Sequence, residues 1–375
     1  MTKSVLLVGG SGPTGPHVIQ GLHDRGYDIT VFHRGKHDPP DTVEIEHVHG
    51  DPHFRETIDE SLGTREFDLV IAAYGRVKYL AAAFANRTEK FISMSGTPRY
   101  VGYSDPWRTI PFGTPIPIRE DAPLVTEMDA EGSRALIFGQ KIVEGENAVF
   151  ESHKNGTVLV YPVVYGPRNI TPWEWSVIKR VQDGRTQIVL PEGGMAIHRR
   201  GASRNMAEMV MRVIDHPDVS AGQVYNCADS QQYSLRQWVE TIADLMGSKL
   251  EVIGVPAALA PIFKAIYIPN YQAIADHTMF DTSKAQRELG YVDVVSPREA
   301  LAESIAWYLE NPVGDPSSYP GYHDTFDYAM EDRVVRAWIE LLTTFPEQTP
   351  TPVPEDFHPM PHPTLPGALA DARNR

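Results

Sequence analysis

Residues 4–19 read SVLLVGGSGPTGPHVI, and this stretch decides the fold. Val5 to Val8 is a short, β-rich apolar run. Behind it Gly9, Gly12 and Gly15 recur three apart, and an amphipathic stretch begins. A strand that feeds a glycine-rich turn and then a helix is the opening unit of a dinucleotide-binding βαβ fold. Gly9 permits the tight turn, Gly12 lets a pyrophosphate approach the backbone, and Gly15 lets the helix pack close to the strand. Pro13 is expected in the first helical turn, where its missing N–H forfeits no bond. The N–H groups of this turn and the helix dipole together make an anion site. Ser11, Pro13 and Thr14 therefore join the three glycines as the expected cofactor cradle.

Working outward, further β-rich runs follow at Ile29 to Phe32, Val43 to Val48, Leu69 to Ala73, Phe91 to Met94 and Val158 to Tyr161. They alternate with amphipathic stretches, among them Tyr79 to Phe84 and Ser133 to Phe150, which is the pattern of parallel βαβ units. The expected fold is α/β, a Rossmann doubly wound parallel sheet with a smaller C-terminal α/β substrate lobe. Residues 1–167 form the dinucleotide-binding domain, and 203–229 return to it through a helix at Asn205 to Asp215 and a strand at Val224 to Cys227. Residues 168–202 and 230–345 build the substrate lobe, with helices at Leu235 to Met246 and Leu301 to Leu309 and a strand at Leu250 to Val255. From Pro346 onward eight prolines fall in thirty residues, a composition that resists helix and sheet and predicts an extended strap or tail.

A chain of 375 residues, 42% hydrophobic and 22% charged, buries a full core. Its net charge of -15 opposes attraction to phosphate backbones, although Arg199, Arg200 and Arg204 could form a local basic patch. The single cysteine, Cys227, reads as a small buried hydrophobe and offers no metal spacing. No apolar run approaches the roughly 20 residues needed to cross a bilayer. The first strand starts after three residues, which leaves no room for a signal peptide, and the expected location is cytoplasmic.

The end of the second apolar run chooses the dinucleotide. NAD sites usually carry Asp or Glu there for the ribose 2'-hydroxyl, whereas this chain reads VFHRGK, with Arg34 and Lys36 where a 2'-phosphate would lie. NADP is the expected cofactor, with NAD as the alternative.

Several features fall in order: the glycine turn, His49-Gly50-Asp51, Ile71-Ala72-Ala73, Tyr165-Gly166-Pro167, and Phe280 to Lys284 through Leu289-Gly290 to Trp307-Tyr308. Over about residues 3 to 312 the chain thus resembles the extended short-chain dehydrogenase/reductases, the NAD-dependent epimerase/dehydratase group. FHRGK and the short fourth helix resemble the atypical branch that includes the chloroplast stem-loop RNA-binding proteins. The resemblance implies that Asp51 contacts the adenine, that Ala72 and Ala73 line the cofactor, and that helix-to-helix homodimers form.

The catalytic pattern departs from that family. Relatives carry a Tyr and a Lys four apart on one helix, the Tyr as acid/base and the Lys lowering its pKa and holding the nicotinamide ribose. Here the helix reads ALIFGQKIVEGENAV. Alignment on Gly139, Glu146 and Val149 puts Phe138 at the Tyr and Ile142 at the Lys, while alignment on Lys141 puts Ile137 at the Tyr. Neither register supplies a phenol. The family's Ser or Thr falls on Gly96, flanked by Ser95 and Thr97.

Lys141, Tyr100, Ser95 and Thr97 are the expected catalytic residues, and Lys141 is also placed at the cofactor. Tyr103, Tyr165, Glu144 and His198 are further sources of a proton. Trp107, Trp173 and Trp175, with His198, are expected around a small, partly apolar organic substrate. The readings left open are an enzyme of the oxidoreductase or epimerase/dehydratase type, a cofactor-binding sensor without chemistry, and an RNA-binding protein.

Overall fold

A computed structural model describes residues 2–35, 42–257, 276–315, 319, 322 and 324–345. In chain order its elements are β1 (Ser4–Val8), α1 (Gly15–Asp24), β2 (Asp28–His33), β3 (Glu46–His49), α2 (Arg55–Leu62), β4 (Phe67–Ala72), α3 (Val77–Ala83) and β5 (Thr88–Gly96). They continue with α4 (Glu127–Ala130), α5 (Arg134–Ser152), β6 (Thr157–Tyr161), β7 (Val163–Tyr165), α6 (Trp175–Gln182), β8 (Gln187–Pro191) and β9 (Arg200–Ala202). The last are α7 (Ser203–Asp215), β10 (Gln223–Asn226), α8 (Leu235–Leu245), β11 (Glu251–Val255), α9 (Ser283–Leu289), α10 (Pro297–Glu310) and α11 (Tyr328–Thr343).

Seven parallel strands form one sheet in the order β10-β6-β5-β4-β1-β2-β3. Alternation along the strands explains why helices cover both faces. Val5 and Leu7 point into a core with Val18, Ile19 and Leu22 of α1 and Met206, Val210 and Val213 of α7. Leu6 and Val8 point the other way, to Ile58 of α2, Leu80 of α3 and Val149 of α5. A sheet buried on both faces needs uninterrupted apolar strands, and these runs are what the sequence displays.

The strand order reverses between β1 and β4, and in open α/β sheets ligands bind at the carboxyl ends of the strands at such a reversal. There the Gly9 N–H donates to the Phe32 carbonyl at 2.9 Å and the Ala73 N–H to the Val8 carbonyl at 3.1 Å, which ties β2, β1 and β4 into one rim.

A second core gathers Trp173, Trp175, Ile178, Leu190, Trp238, Ile242, Leu301 and Tyr308 between α6, α8 and α10 and the parallel pair β8–β11. Trp173 and Trp175, expected around a substrate, are buried here as packing residues. Three buried indoles share this core, with Trp307 packed against it, and burying them supplies much of its apolar area. Met1–Asp332 form one compact unit and Arg333–Arg375 a second. The proline-rich stretch 346–375 lies outside the described residues.

Candidate dinucleotide site and proton-transfer region

Gly9 and Gly10 have φ values of +103° and +90°, a region that side chains other than glycine's rarely occupy. Gly10 was missed in the three-residue spacing, yet its carbonyl explains Gly15: a Cβ there would stand 1.7 Å from the Gly10 oxygen. The close approach that needs Gly15 is therefore to the turn itself rather than to the strand. Around Gly12 a Cβ would meet nothing within 4 Å, so the space over the turn is open. Among the described residues no protein group accepts from the N–H of Ser11, Gly12 or Thr14. An open, donor-lined turn at a helix start fits a pyrophosphate. The helix begins at Gly15, so Pro13 lies in the turn before it, and Pro16 takes the place in the first turn that Pro13 was expected to fill.

Arg34 stands exposed just past β2, its guanidinium 5.2 Å from the centre of the Tyr74 ring. Tyr74 follows Ala73 beyond β4, and its Cβ lies 2.9 Å from where a Gly9 Cβ would be. The His53 ring packs edge-on to Tyr74 at 4.8 Å and bonds Asp51 Oδ1 at 2.7 Å. Burial pushes the Asp51 carboxyl up, but bonds from the His53 ring and backbone, with the Arg34 charge, outweigh it and hold it below the usual range. Arg34, Asp51, His53 and Tyr74 thus line one rim beside the glycine turn. Tyr74 and His53 were not anticipated, although an aromatic directly after a strand end was a usable signal. Ala73 is exposed at this rim, whereas the Ala72 side chain, expected beside it, is packed in the core. Lys36 lies outside the described residues.

On the other side of the reversal, α5 presses on the turn after β5 so tightly that a Cβ on Gly139 would lie 2.1 Å from the Pro98 carbonyl oxygen. That contact fixes the helix rotation. Ile142 Cδ1 reaches to 3.5 Å from the place of a Gly96 Cβ, so these two positions face one another as Ile and Gly. Lys141 is turned one residue round the helix and is exposed, and Phe138 is 59% exposed.

The expected hydroxyls are engaged elsewhere. Ser95 donates to buried Glu146, whose other oxygen lies 3.1 Å from Arg99 Nη2. Burial pushes the Glu146 carboxyl up, against Arg99 and Ser95. Thr97 donates to the Tyr161 carbonyl at 3.4 Å and accepts from Arg199 Nε at 2.7 Å. Tyr100 is wholly buried, donates to Asn226 Oδ1 at 2.7 Å, and has its ionisation raised by burial. Its ring packs with Ile118, Phe280 and, in β6, Val158 and Val160. Tyr165 likewise donates to buried Asp229 at 2.8 Å.

His198 is buried, and burial, then Arg200 and Arg199, push its ionisation well below the usual range. Trp107 is 83% exposed and packs edge-on to Phe112 at 4.8 Å. Arg199 and Arg200 are buried and Arg204 pairs with Glu303 at 2.6 Å, so the expected basic patch does not form on the surface. Among the described residues no helix is long and apolar enough to cross a membrane, and no group of three or more His, Cys, Asp or Glu could hold a metal ion.

No family model matches the sequence, and no curated protein matches it. Solved structures do. The enzyme WbmH of Bordetella bronchiseptica, in complex with NAD+, is similar with a TM-score of 0.63 at 16% identity, over 83% of this chain and 100% of that one. A dTDP-glucose 4,6-dehydratase of Bacillus anthracis, in complex with NAD, gives 0.62 at 15% over 82% and 97%. A UDP-glucose 4-epimerase of Thermotoga maritima, with UDP-glucose, gives 0.62 at 16% over 82% and 99%. At this identity the likeness establishes the fold alone: a Rossmann-type α/β chain that spans nearly the whole of these solved structures.

Proposed function

We propose that the protein is an NADP-dependent enzyme of the oxidoreductase or epimerase/dehydratase type, acting on a small, partly apolar organic molecule without the usual catalytic tyrosine. The observation that carries this reading is the open turn Ser11 to Thr14, whose uncommitted N–H groups stand at the reversal of the sheet. Gly9 to Gly15 would hold the pyrophosphate, with Asp51 and Ala73 along the adenine half, and Arg34 would meet a 2'-phosphate. When bound, the dinucleotide supplies a hydride donor or acceptor. The solved relatives crystallised with NAD support a nicotinamide dinucleotide on this fold, and Arg34 with no acidic residue at the end of β2 argues for NADP. The exposed pair Trp107 and Phe112 supports an apolar portion in the substrate.

A second reading, a cofactor-binding sensor without chemistry, is favoured by the engagement of Ser95, Thr97 and Tyr100 in buried bonds. One experiment separates the two. NADPH is titrated by its fluorescence and then mixed with a panel of carbonyl compounds while absorbance is followed. The enzyme reading expects binding tighter than that of NADH, followed by loss of NADPH absorbance with at least one compound. Tight binding with no turnover across the panel leaves the sensor, and no binding removes both.

A further inference from the structure

Arg199, the residue before β9, is only 6% exposed. Its Nε donates to Thr97 Oγ1 at 2.7 Å, its Nη1 to Thr278 Oγ1 at 3.2 Å and its Nη2 to the Tyr103 hydroxyl, with the guanidinium 4.4 Å from the centre of the Tyr103 ring. All three acceptors are neutral. Arg99 and Arg180 are as deeply buried, yet Arg99 faces Glu146 at 3.1 Å and Arg180 faces Asp324 at 2.6 Å. Among the described residues no carboxylate lies within 4.0 Å of Arg199. Residues 258–275, which lead directly to Asp276-His277-Thr278, contain no Asp or Glu. A guanidinium taken out of water without a counter-charge costs several kcal/mol.

Donor capacity around it is left unspent, beside one lone pair on each hydroxyl. Arginine carries five N–H groups, and three are used here, which leaves one on each Nη. Tyr103 and Thr278 each accept from Arg199, and among the described residues neither hydroxyl donates to a protein acceptor. Among the described residues, two N–H groups of the buried cation and two neighbouring hydroxyl protons are therefore uncommitted. Thr97 follows β5 directly at the carboxyl edge of the sheet, where ligands of such folds bind, and Tyr103 is half-buried. The low ionisation of His198, owed to burial and then to Arg200 and Arg199, agrees with a positive potential here.

We propose that Arg199, with the hydroxyls of Tyr103 and Thr278, receives an anionic group of the substrate, a carboxylate or a phosphate. This rests on the reading that the protein acts on a small organic molecule. Its test does not require turnover. Thermal unfolding of the full chain is followed by circular dichroism with benzoate, phenyl phosphate or the neutral isostere benzamide, at matched ionic strength. An anion that binds the folded state raises Tm, and benzamide does not. Whichever of the two anions acts more strongly names the source of the charge.

Arg199→Gln is expected to weaken the anion response about tenfold or more. It should leave the ligand-free Tm unchanged or higher, because a buried unpaired charge is gone. NADPH affinity, measured in parallel, should persist in the variant. Loss of NADPH binding by the natural chain would overturn the cofactor reading and leave the anion response to be judged alone. Equal effects of benzoate and benzamide, no effect of either anion, or an undiminished response in Arg199→Gln would overturn the proposal. Should Arg199→Gln not fold, Tyr103→Phe decides: the anion response falls several-fold, and an unchanged response contradicts the site.

Discussion

The two sides of the sheet reversal carry different kinds of information. At the ends of β1, β2 and β4 the site is made of backbone: positive φ at Gly9 and Gly10, a passage at Gly15 too narrow for a methyl group, and open N–H groups at Ser11 to Thr14. At the end of β5 and along α5 the site would be made of side chains. Ile142 faces Gly96, Phe138 is exposed, and Ser95, Thr97 and Tyr100 are engaged in hydrogen bonds within the protein. A cradle built from the backbone tolerates a wide choice of neighbouring residues. Proton transfer depends on a single titratable atom, and one substitution removes it.

The largest expected effect breaks the backbone side. In Gly15→Ala the new methyl would overlap the Gly10 carbonyl, so the turn must move, and such overpacking costs about 1–3 kcal/mol or more. Chemical denaturation should show that loss together with loss of NADPH binding. An unchanged midpoint would mean that the turn is not packed as described.

A smaller effect sharpens the cofactor choice. Arg34→Ala should weaken NADPH about tenfold while NADH is nearly unaffected, since a charge-assisted bond to a phosphate contributes about 1.5–3 kcal/mol and Arg34 is exposed. Parallel titrations with the two cofactors check this. Equal losses would remove Arg34 from the 2'-phosphate.

The smallest effect concerns the side-chain side. Lys141→Met should change cofactor affinity and stability by less than about twofold and 0.5 kcal/mol, because an exposed helix lysine away from special features contributes little. A tenfold loss of NADPH affinity would return Lys141 to the ribose and undo the contrast between the two sides.

The sequence was most legible where burial is two-sided. β1, β2 and β4 begin or end within a residue of their apolar runs, because both faces demand apolar residues. It was less legible at β3, expected from Val43 but pairing with β2 only from Glu46, because an apolar alternation does not say where a ladder starts. α2 escaped notice: in RETIDESL only Ile58 and Leu62 are buried, too few to mark a helical face. Trp173 and Trp175 read as site residues because aromatic side chains suit a core and a pocket alike. The engagement of Ser95 with Glu146 and of Thr97 with Arg199 spans 51 and 102 residues of chain, contacts that no local pattern announces.

The central claim is that the turn Gly9 to Gly15 holds a dinucleotide although the usual proton-transfer pair is absent. Gly12→Val tests it most directly, because a side chain there enters open space and leaves the fold untouched while it occupies the volume the phosphates need. Fluorescence titration with NADPH, beside thermal unfolding of the same sample, is the measurement. The account predicts an affinity about a hundredfold lower, the equivalent of losing one or two bonds to a charged group, with Tm unchanged within about 2 °C. Unchanged NADPH affinity in a folded Gly12→Val chain would contradict it.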